Sequence, residues 1–328
     1  MPITAPESLV DLDLPTPDLR PNDLLVAVKA ISVNPVDVKI RAGVAPPAGE
    51  ARVLGWDAAG VVEAVGAEAA RFKPGDAVFY AGALDRPGTN SELHAVDERI
   101  AGRKPESLSF TQAAALPLTA LTAWELLFDR LAVPYGSKSQ GGSILIVNGA
   151  GGVGSILTQL ARRLTGLRVI ATASRPETVA WVREMGAHDV IDHRRPLDEA
   201  LQEIGVPEVG YVAGLTASDK HLPAIVKALA PQGKLALIDD PASFDIVPFK
   251  RKSLSVHWEL MFTRALYTTA DMAMQHRILN EVADLVDAGV LRTTLKAEIG
   301  AINAANLRRA HGIVESGKAI GKLVLSGF

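Results

Sequence analysis

Residues 144–164 read Ile-Leu-Ile-Val-Asn-Gly-Ala-Gly-Gly-Val-Gly-Ser-Ile-Leu-Thr-Gln-Leu-Ala-Arg-Arg-Leu. Ile144–Val147 is wholly apolar, the pattern of a strand covered on both faces in a parallel sheet. Gly149, Gly151 and Gly154 then spell G-x-G-x-x-G, and Ile156, Leu157, Leu160, Ala161 and Leu164 recur at helical spacing. Strand, glycine turn and helix in that order form the unit that cradles a dinucleotide pyrophosphate. Gly149 is read as the sharp turn, Gly151 as the close approach of backbone to pyrophosphate, and Gly154 as the close packing of helix on strand. With Ala150, Gly152 and Val153 they make a candidate cofactor-binding turn, where the first N–H groups of the helix face the anion. No Gly-Lys-Ser/Thr follows, which excludes a Walker-type phosphate loop.

Downstream of this unit, strands and helices alternate. Strands are predicted at Val169–Ala173, Asp189–Ile191, Gly210–Gly214 and Lys234–Ile238, with helices near Glu177–Met185, Leu197–Ile204 and Leu222–Leu229 between them. Such alternation implies a doubly wound parallel sheet, with Ser255–Leu260 as a sixth, edge strand. Upstream the chain is β-rich: Leu24–Ile31, Gly60–Val65, Ala77–Tyr80 and Glu92–Val96 read as strands, and Lys73-Pro-Gly-Asp as a turn. No helix is predicted before Thr111, so this part reads as a barrel-like unit. Thr111–Arg130 reads as two helices interrupted at Pro117, and Tyr135–Gly142 as a polar, flexible loop. After residue 261 come two amphipathic helices, around Ile278–Val286 and Leu307–Val314, and a closing strand Lys322–Leu325. This tail is expected to return to the first unit.

In NAD-binding sheets the second strand usually ends in an acid about 20 residues past the last glycine, holding the ribose 2′-hydroxyl. Here that place is held by Ser174 and Arg175, a hydroxyl and a guanidinium suited to a 2′-phosphate. NADPH is therefore expected over NADH, although Glu177 lies close by. His193, closing the third strand, and Leu215, just past the fourth, join the candidate cofactor residues.

The composition sets outer limits. The chain has 328 residues, 48% hydrophobic and 22% charged, with a net charge of −3, enough for two globular domains and a poor match to nucleic acid or anionic membrane. The absence of cysteine removes disulfides, thiolate nucleophiles and Cys-ligated zinc, and fits a reducing, cytoplasmic location. No basic-then-apolar leader and no apolar run of spanning length is present.

Over nearly its whole length the chain resembles the medium-chain dehydrogenase/reductase superfamily. Ser32-Val-Asn-Pro-Val-Asp, Gly55-Trp-Asp-Ala-Ala-Gly-Val-Val-Glu-Ala-Val-Gly, Phe72-Lys-Pro-Gly-Asp-Ala-Val, Leu116-Pro-Leu-Thr-Ala-Leu-Thr-Ala-Trp-Glu and the glycine turn carry the match. Ala171-Thr-Ala-Ser-Arg-Pro-Glu-Thr, Leu237-Ile-Asp-Asp-Pro-Ala-Ser and Ala301-Ile-Asn-Ala-Ala-Asn-Leu-Arg-Arg-Ala-His resemble a bacterial subgroup labelled quinone oxidoreductase-like or "zinc-binding alcohol dehydrogenase family". The resemblance implies an α/β chain: a GroES-like β-rich catalytic domain over 1–118 and 262–328, and a Rossmann cofactor domain over 119–261. It also implies a cofactor contact at Thr122 and a homodimer through the edge strand near Ser255–Leu260. The family's opening strand, which begins Met-Lys-Ala, has no counterpart here, which would leave a neighbouring barrel strand less well covered.

Zinc-dependent members of the superfamily hold their catalytic metal with Cys, His and Cys. The aligned positions in this chain are Asn34, Trp56 and approximately Leu118, none of which is a zinc ligand, so no metal is expected. Without a Lewis acid an unactivated alcohol is hard to oxidise, whereas an activated C=C or a quinone accepts hydride with only hydrogen-bond help. The expected activity is an NADPH-dependent reduction of a small-molecule quinone or α,β-unsaturated carbonyl. The alternatives are an alcohol dehydrogenase, or a catalytically idle NADPH-binding protein with a structural or regulatory role. Candidate substrate-side residues are Asn34 as a donor, Asp37 as a proton relay, Trp56 as an apolar wall and Tyr80 as a proton donor.

Overall fold

The computed structural model describes residues 2–44, 46, 50–138 and 141–328. The chain divides into two compact units, Met1–Leu121 with Phe262–Phe328, and Thr122–Met261.

In the first unit the strands are β1 (Asp23–Val33), β2 (Ala58–Val65), β3 (Ala77–Tyr80), β4 (Leu93–Asp97) and β5 (Ala101–Arg103). The second unit supplies β6 (Ser143–Val147), β7 (Arg168–Thr172), β8 (Asp189–Ile191), β9 (Val209–Gly214), β10 (Leu229–Leu237) and β11 (Ser255–Trp258). The tail adds β12 (Leu295–Gly300) and β13 (Lys322–Ser326) to the first unit's sheet. The returning tail is thus as expected, while β5 and β12 went unread. β5 is three residues long, and β12 alternates Leu-Lys-Ala-Glu-Ile-Gly between half-buried and exposed positions, so neither has the apolar run of a covered strand.

The long strand β1 organises the first unit. One edge pairs with β2; the other pairs with β4 along Asp23–Ala27 and with β13 along Ala30–Val33, all antiparallel. Two register shifts against β2 bend the strand, as barrel corners require. Leu24, Val26, Val28, Ile31 and Val33 meet Val62, Val78, Ile100 and Leu325 in its core. The Lys73–Asp76 turn forms as read, with Gly75 at φ +95°. Among the described residues no strand precedes Asp23. The preceding segment is tied instead to the helix Ala304–Glu315: Asp11 accepts from Ala304 N at 2.8 Å, and Arg308 donates to the carbonyls of Pro6 and Leu9.

The helix Pro35–Gly43 was not anticipated. Its only fully buried residue is Asp37, so it carries no apolar stripe to betray it. The signal lay in its first turn, where Asn34, Pro35 and Asp37 form an N-cap, an N1 proline and a capping box.

In the second unit the strand order is β11-β10-β9-β6-β7-β8, every pair parallel. Counted from the glycine-led strand this is 3-2-1-4-5-6, the doubly wound dinucleotide-binding order, whose switch point lies between β6 and β9. β6 is buried at all five positions, as its apolar run requires. β11 forms the edge, with Trp258 54% and Leu260 51% exposed. The two helices around Pro117 are Phe110–Ala114 and Pro117–Trp124, the latter continued by a π-helical turn Glu125–Arg130. Ser139 and Gln140 of the polar loop lie outside the described residues. The rest of that loop is anchored rather than free: the Tyr135 ring lies 5.2 Å from Trp124 and 5.3 Å from Phe128, and Lys138 Nζ donates to Arg163 O at 2.5 Å.

Candidate cofactor and active site

The glycine turn follows β6 directly. The reversed backbone sits one residue earlier than read: Asn148 has φ +67°, and Gly149 is not among the positive-φ residues. Gly149 is required for space, because a Cβ there would lie 2.7 Å from Ala171 Cβ and 3.1 Å from Val182 Cγ1. Gly154 is required more strictly, since its Cβ would lie 2.3 Å from Asn148 O and 2.7 Å from Gly149 Cα. Gly151 caps the helix Gly152–Leu164 with no side-chain hydrogen bond, and a Cβ there would come closest only to the Asn148 amide, at 2.9 Å. The first-turn N–H groups of that helix thus have no capping side chain, and the backbone before them is bare. That is the cradle a pyrophosphate fits.

The other predicted cofactor residues of this unit share the same sheet edge. Ser174 and Arg175 follow β7, His193 follows β8 and Leu215 follows β9. Arg175 pairs with Glu177, Nε to Oε1 at 3.1 Å. Asp239, beyond β10, accepts from Ser218 N at 2.9 Å and from Ser218 Oγ at 2.7 Å, fixing the start of the next helix. Thr122 is buried on the helix Pro117–Trp124.

In the first unit Asn34, Asp37 and Trp56 lie around a buried ion pair that the sequence reading missed. Lys322 Nζ lies 3.1 Å from Asp57 Oδ2, with side-chain exposures of 3% and 0%. Asp57 Oδ2 also accepts from Ser32 Oγ and Asn34 Nδ2, both at 2.7 Å, while its Oδ1 accepts from Leu118 N at 2.7 Å. Lys322 donates further to Val33 O at 3.0 Å and to Asn34 Oδ1. Both ends of the Asn34 amide are therefore committed inside the protein. Asp37 Oδ2 accepts from Asn34 N at 2.7 Å, and its Oδ1 is buried without a partner. Burial pushes the Asp37 carboxyl up to about 7, with the Asp57 charge adding to it and Lys322 opposing. Trp56 is buried and donates its indole N–H to Ala83 O at 3.2 Å.

Tyr80 stands apart from this cluster, stacked on His94 with ring centroids 5.4 Å apart. His94 Nε2 faces Pro87 O at 3.0 Å; a carbonyl only accepts, so Nε2 carries the proton and Nδ1 accepts from the Tyr80 hydroxyl at 3.1 Å. The phenol proton is engaged within the core, and burial pushes its pKa up. A proton-donor role for Tyr80 would require its hydroxyl to leave His94.

These buried groups give a stability profile with a definite sign. Burial holds His94 down to about 4, and burial with the nearby Arg41 charge does the same to His311. Between pH 6.5 and 4 each favours unfolding as pH falls, because the unfolded chain binds a proton that the folded one refuses. Asp37 acts oppositely: its stabilisation is full below its unfolded pKa and is lost as pH rises through about 7. His188, His193, His221, His257 and His276 are held below the usual histidine range as well, chiefly by burial, so unfolding free energy is expected to fall as pH drops through that window. Asp37→Asn removes a group that opposes them and should steepen the fall in urea titrations at pH 6.5, 5.5 and 4.5; equal slopes would count against the assignment.

Two family models match the chain, an alcohol dehydrogenase GroES-like domain over residues 20–110 and a zinc-binding dehydrogenase domain over residues 185–325. A zinc-type alcohol dehydrogenase-like protein of Staphylococcus aureus is 39% identical over 314 residues, spanning 95% of this chain and 92% of the relative. The chain belongs to the medium-chain dehydrogenase/reductase superfamily. Among solved structures, a Rhizobium etli CFN 42 protein provisionally described as a zinc-dependent alcohol dehydrogenase is 55% identical, with a TM-score of 0.95 over 100% of this chain and 96% of its own. Escherichia coli quinone oxidoreductase, solved with NADPH, is 28% identical, with a TM-score of 0.82 over 98% and 96%. The chain is thus an oxidoreductase of this superfamily, with a GroES-like first unit and a Rossmann second unit.

Several relatives are named for zinc, and the residues here do not fit it. Asn34 is bonded at both amide atoms, Trp56 offers only an engaged N–H, and Leu118 has no ligand atom. Among the described residues no cluster of three or more His, Cys, Asp or Glu is placed to hold a metal ion. No helix among them is long and apolar enough to cross a membrane.

Proposed function

We propose that this protein is an NADPH-dependent, zinc-independent reductase of quinones or α,β-unsaturated carbonyls. The observation that carries the reading is that Asn34, aligned with a zinc ligand of the zinc-dependent members, is bonded at both amide atoms to the Asp57–Lys322 pair, while Trp56 and Leu118 at the other two aligned positions offer no ligand. A buried ammonium already neutralises the Asp57 carboxylate, which also accepts from Ser32 Oγ, Asn34 Nδ2 and Leu118 N. Hydride acceptors that delocalise the incoming charge need no Lewis acid.

The cofactor reading rests on the second unit's own residues. The bare turn Gly149–Gly154 and the uncapped helix behind it would hold the pyrophosphate. Ser174 and Arg175 would hold the 2′-phosphate. Bound there, NADPH would supply the hydride, and the protein's part is to orient it and keep water out. The likeness to a quinone oxidoreductase solved with NADPH supports both halves of the reading. A chain without cysteine suits a reducing compartment, the cytosol.

Purified protein offered NADPH or NADH against a panel of quinones and enones is expected to oxidise NADPH with at least one acceptor, with NADH about tenfold or more less efficient. Oxidation of neither cofactor, or one tightly bound zinc per chain with alcohol turnover, overturns the reading.

We also propose a second copy of this chain against the edge of β11, where Trp258 and Leu260 are exposed beside unpaired strand backbone. Sedimentation at micromolar concentration should give a dimer that Trp258→Glu dissociates. A monomer in the unmodified protein refutes it.

A further inference from the structure

The edge where β7 and β8 end holds more basic groups than a 2′-phosphate needs, and almost all are already spoken for. The ladder continues past both strands, with Ala173 N donating to Ile191 O at 3.0 Å, which sets Ser174 and Arg175 beside Asp192 and His193. Arg194 is committed to Asp192, with Nε 3.0 Å from both carboxylate oxygens and Nη2 2.5 Å from Oδ2. Arg195 is paired with Glu203. Arg175 is paired with Glu177, so a phosphate approaching it meets a carboxylate as well.

His193 differs. Its Nδ1 is buried and has no hydrogen-bond partner. Burial, with the Arg194 and Arg175 charges, holds the imidazole below the usual histidine range, and Asp192 opposes. A second imidazole, His221 on the helix Ser218–Ala228, lies near enough to feel the charge His193 takes on. Burial comes first in holding His221 low, then His193 and Lys220, with Asp219 opposing. The ligand-free edge therefore presents two neutral rings among guanidinium groups that acids already balance.

We propose that His193 is a proton-linked reader of the 2′-phosphate: it takes a proton from solvent when a phosphate dianion settles beside Ser174 and Arg175. The inference rests on the NADPH reading above. A dianion within about 4–6 Å favours the charged ring, and the bond from imidazolium to phosphate is about twice as strong as one from a neutral donor. NADH brings no such charge to this edge. Preference for NADPH must then strengthen as pH falls, through a proton that NADH binding does not recruit.

Calorimetric titration of the full chain with NADPH and with NADH, between pH 6.5 and 8 and in buffers of different ionisation enthalpy, tests this. NADPH affinity is expected to rise by about three- to tenfold from pH 8 to pH 6.5, with uptake of up to about one proton, while NADH affinity stays flat. His193→Gln should abolish the slope and the proton uptake for NADPH; unchanged thermal unfolding would show that the variant is folded. Tight NADPH binding without proton uptake, or with an unaltered slope in His193→Gln, overturns the proposal alone. Failure to bind either nucleotide at any pH overturns the NADPH reading beneath it, and the proposal with it.

Discussion

Gly154→Ala is expected to cost about 3 kcal/mol or more of folding stability and to abolish nucleotide binding, whereas Gly151→Ala should cost under about 1 kcal/mol and act on binding alone. The difference comes from what each new methyl meets. At Gly154 it would lie 2.3 Å from a backbone oxygen and 2.7 Å from a backbone α-carbon, atoms that cannot swing aside. The helix Gly152–Leu164 would have to lift off β6, and nine of its residues are buried. At Gly151 the backbone is ordinary extended conformation, φ −71° and ψ 176°, and the nearest atom is the end of the Asn148 side chain. The methyl is tolerated by the fold but stands where a phosphate oxygen is to approach. Gly149→Ala should fall between them, since its neighbours are the side chains of Ala171 and Val182. Urea unfolding read beside NADPH titration separates the two effects. Equal stability losses at 151 and 154 would show that the packing argument is wrong.

That contrast marks what local sequence can and cannot disclose. The alternation of strands and helices after Ile144 was readable because each buried strand is a short apolar run and each covering helix carries a stripe. Of the three glycine roles, the packing role of Gly154 was legible, but the turn was assigned to Gly149 when Asn148 makes it. A left-handed Asn looks like any loop Asn until its neighbours are seen. The helix Pro35–Gly43 escaped because its face toward the protein is charged, and only its capping residues announced it. Asn34 and Trp56 were singled out from the resemblance, while Asp57, one residue on, was not. The residue that gives Asp57 its meaning is Lys322, 265 positions later, where nothing in Lys-Leu-Val-Leu distinguishes a buried ammonium from a solvated strand end. The histidine edge was half visible: His193 was marked by its strand, but its buried, unpartnered Nδ1 shows only in the fold.

Removing one partner of the Lys322–Asp57 pair should be among the most damaging changes available outside the glycine turn, at about 3–5 kcal/mol. Asp57→Ala strips four donors of their acceptor at once: the Lys322 ammonium, the Ser32 hydroxyl, the Asn34 amide and the Leu118 backbone N–H. The ammonium keeps Val33 O and Asn34 Oδ1 but no countercharge, in a place water does not reach. Lys322→Met leaves the converse, a carboxylate with three neutral donors and no cation, and should cost less, because those donors still satisfy it. In a matched cycle of Asp57→Asn, Lys322→Met and the two together, the double removes both charges and keeps an oxygen for the Leu118 N–H. The double variant should therefore be more stable than the sum of the single losses by more than 1 kcal/mol, the non-additivity expected of groups that exist for each other. Additive losses in urea unfolding would mean that the pair is incidental. A buried pair seldom raises stability above what apolar packing would give. Its retention here is better explained by geometry: one carboxylate fixes the end of β1, the Gly55–Asp57 segment and the first turn of the helix Pro117–Trp124, while the last strand supplies the cation that lets a carboxylate be buried there.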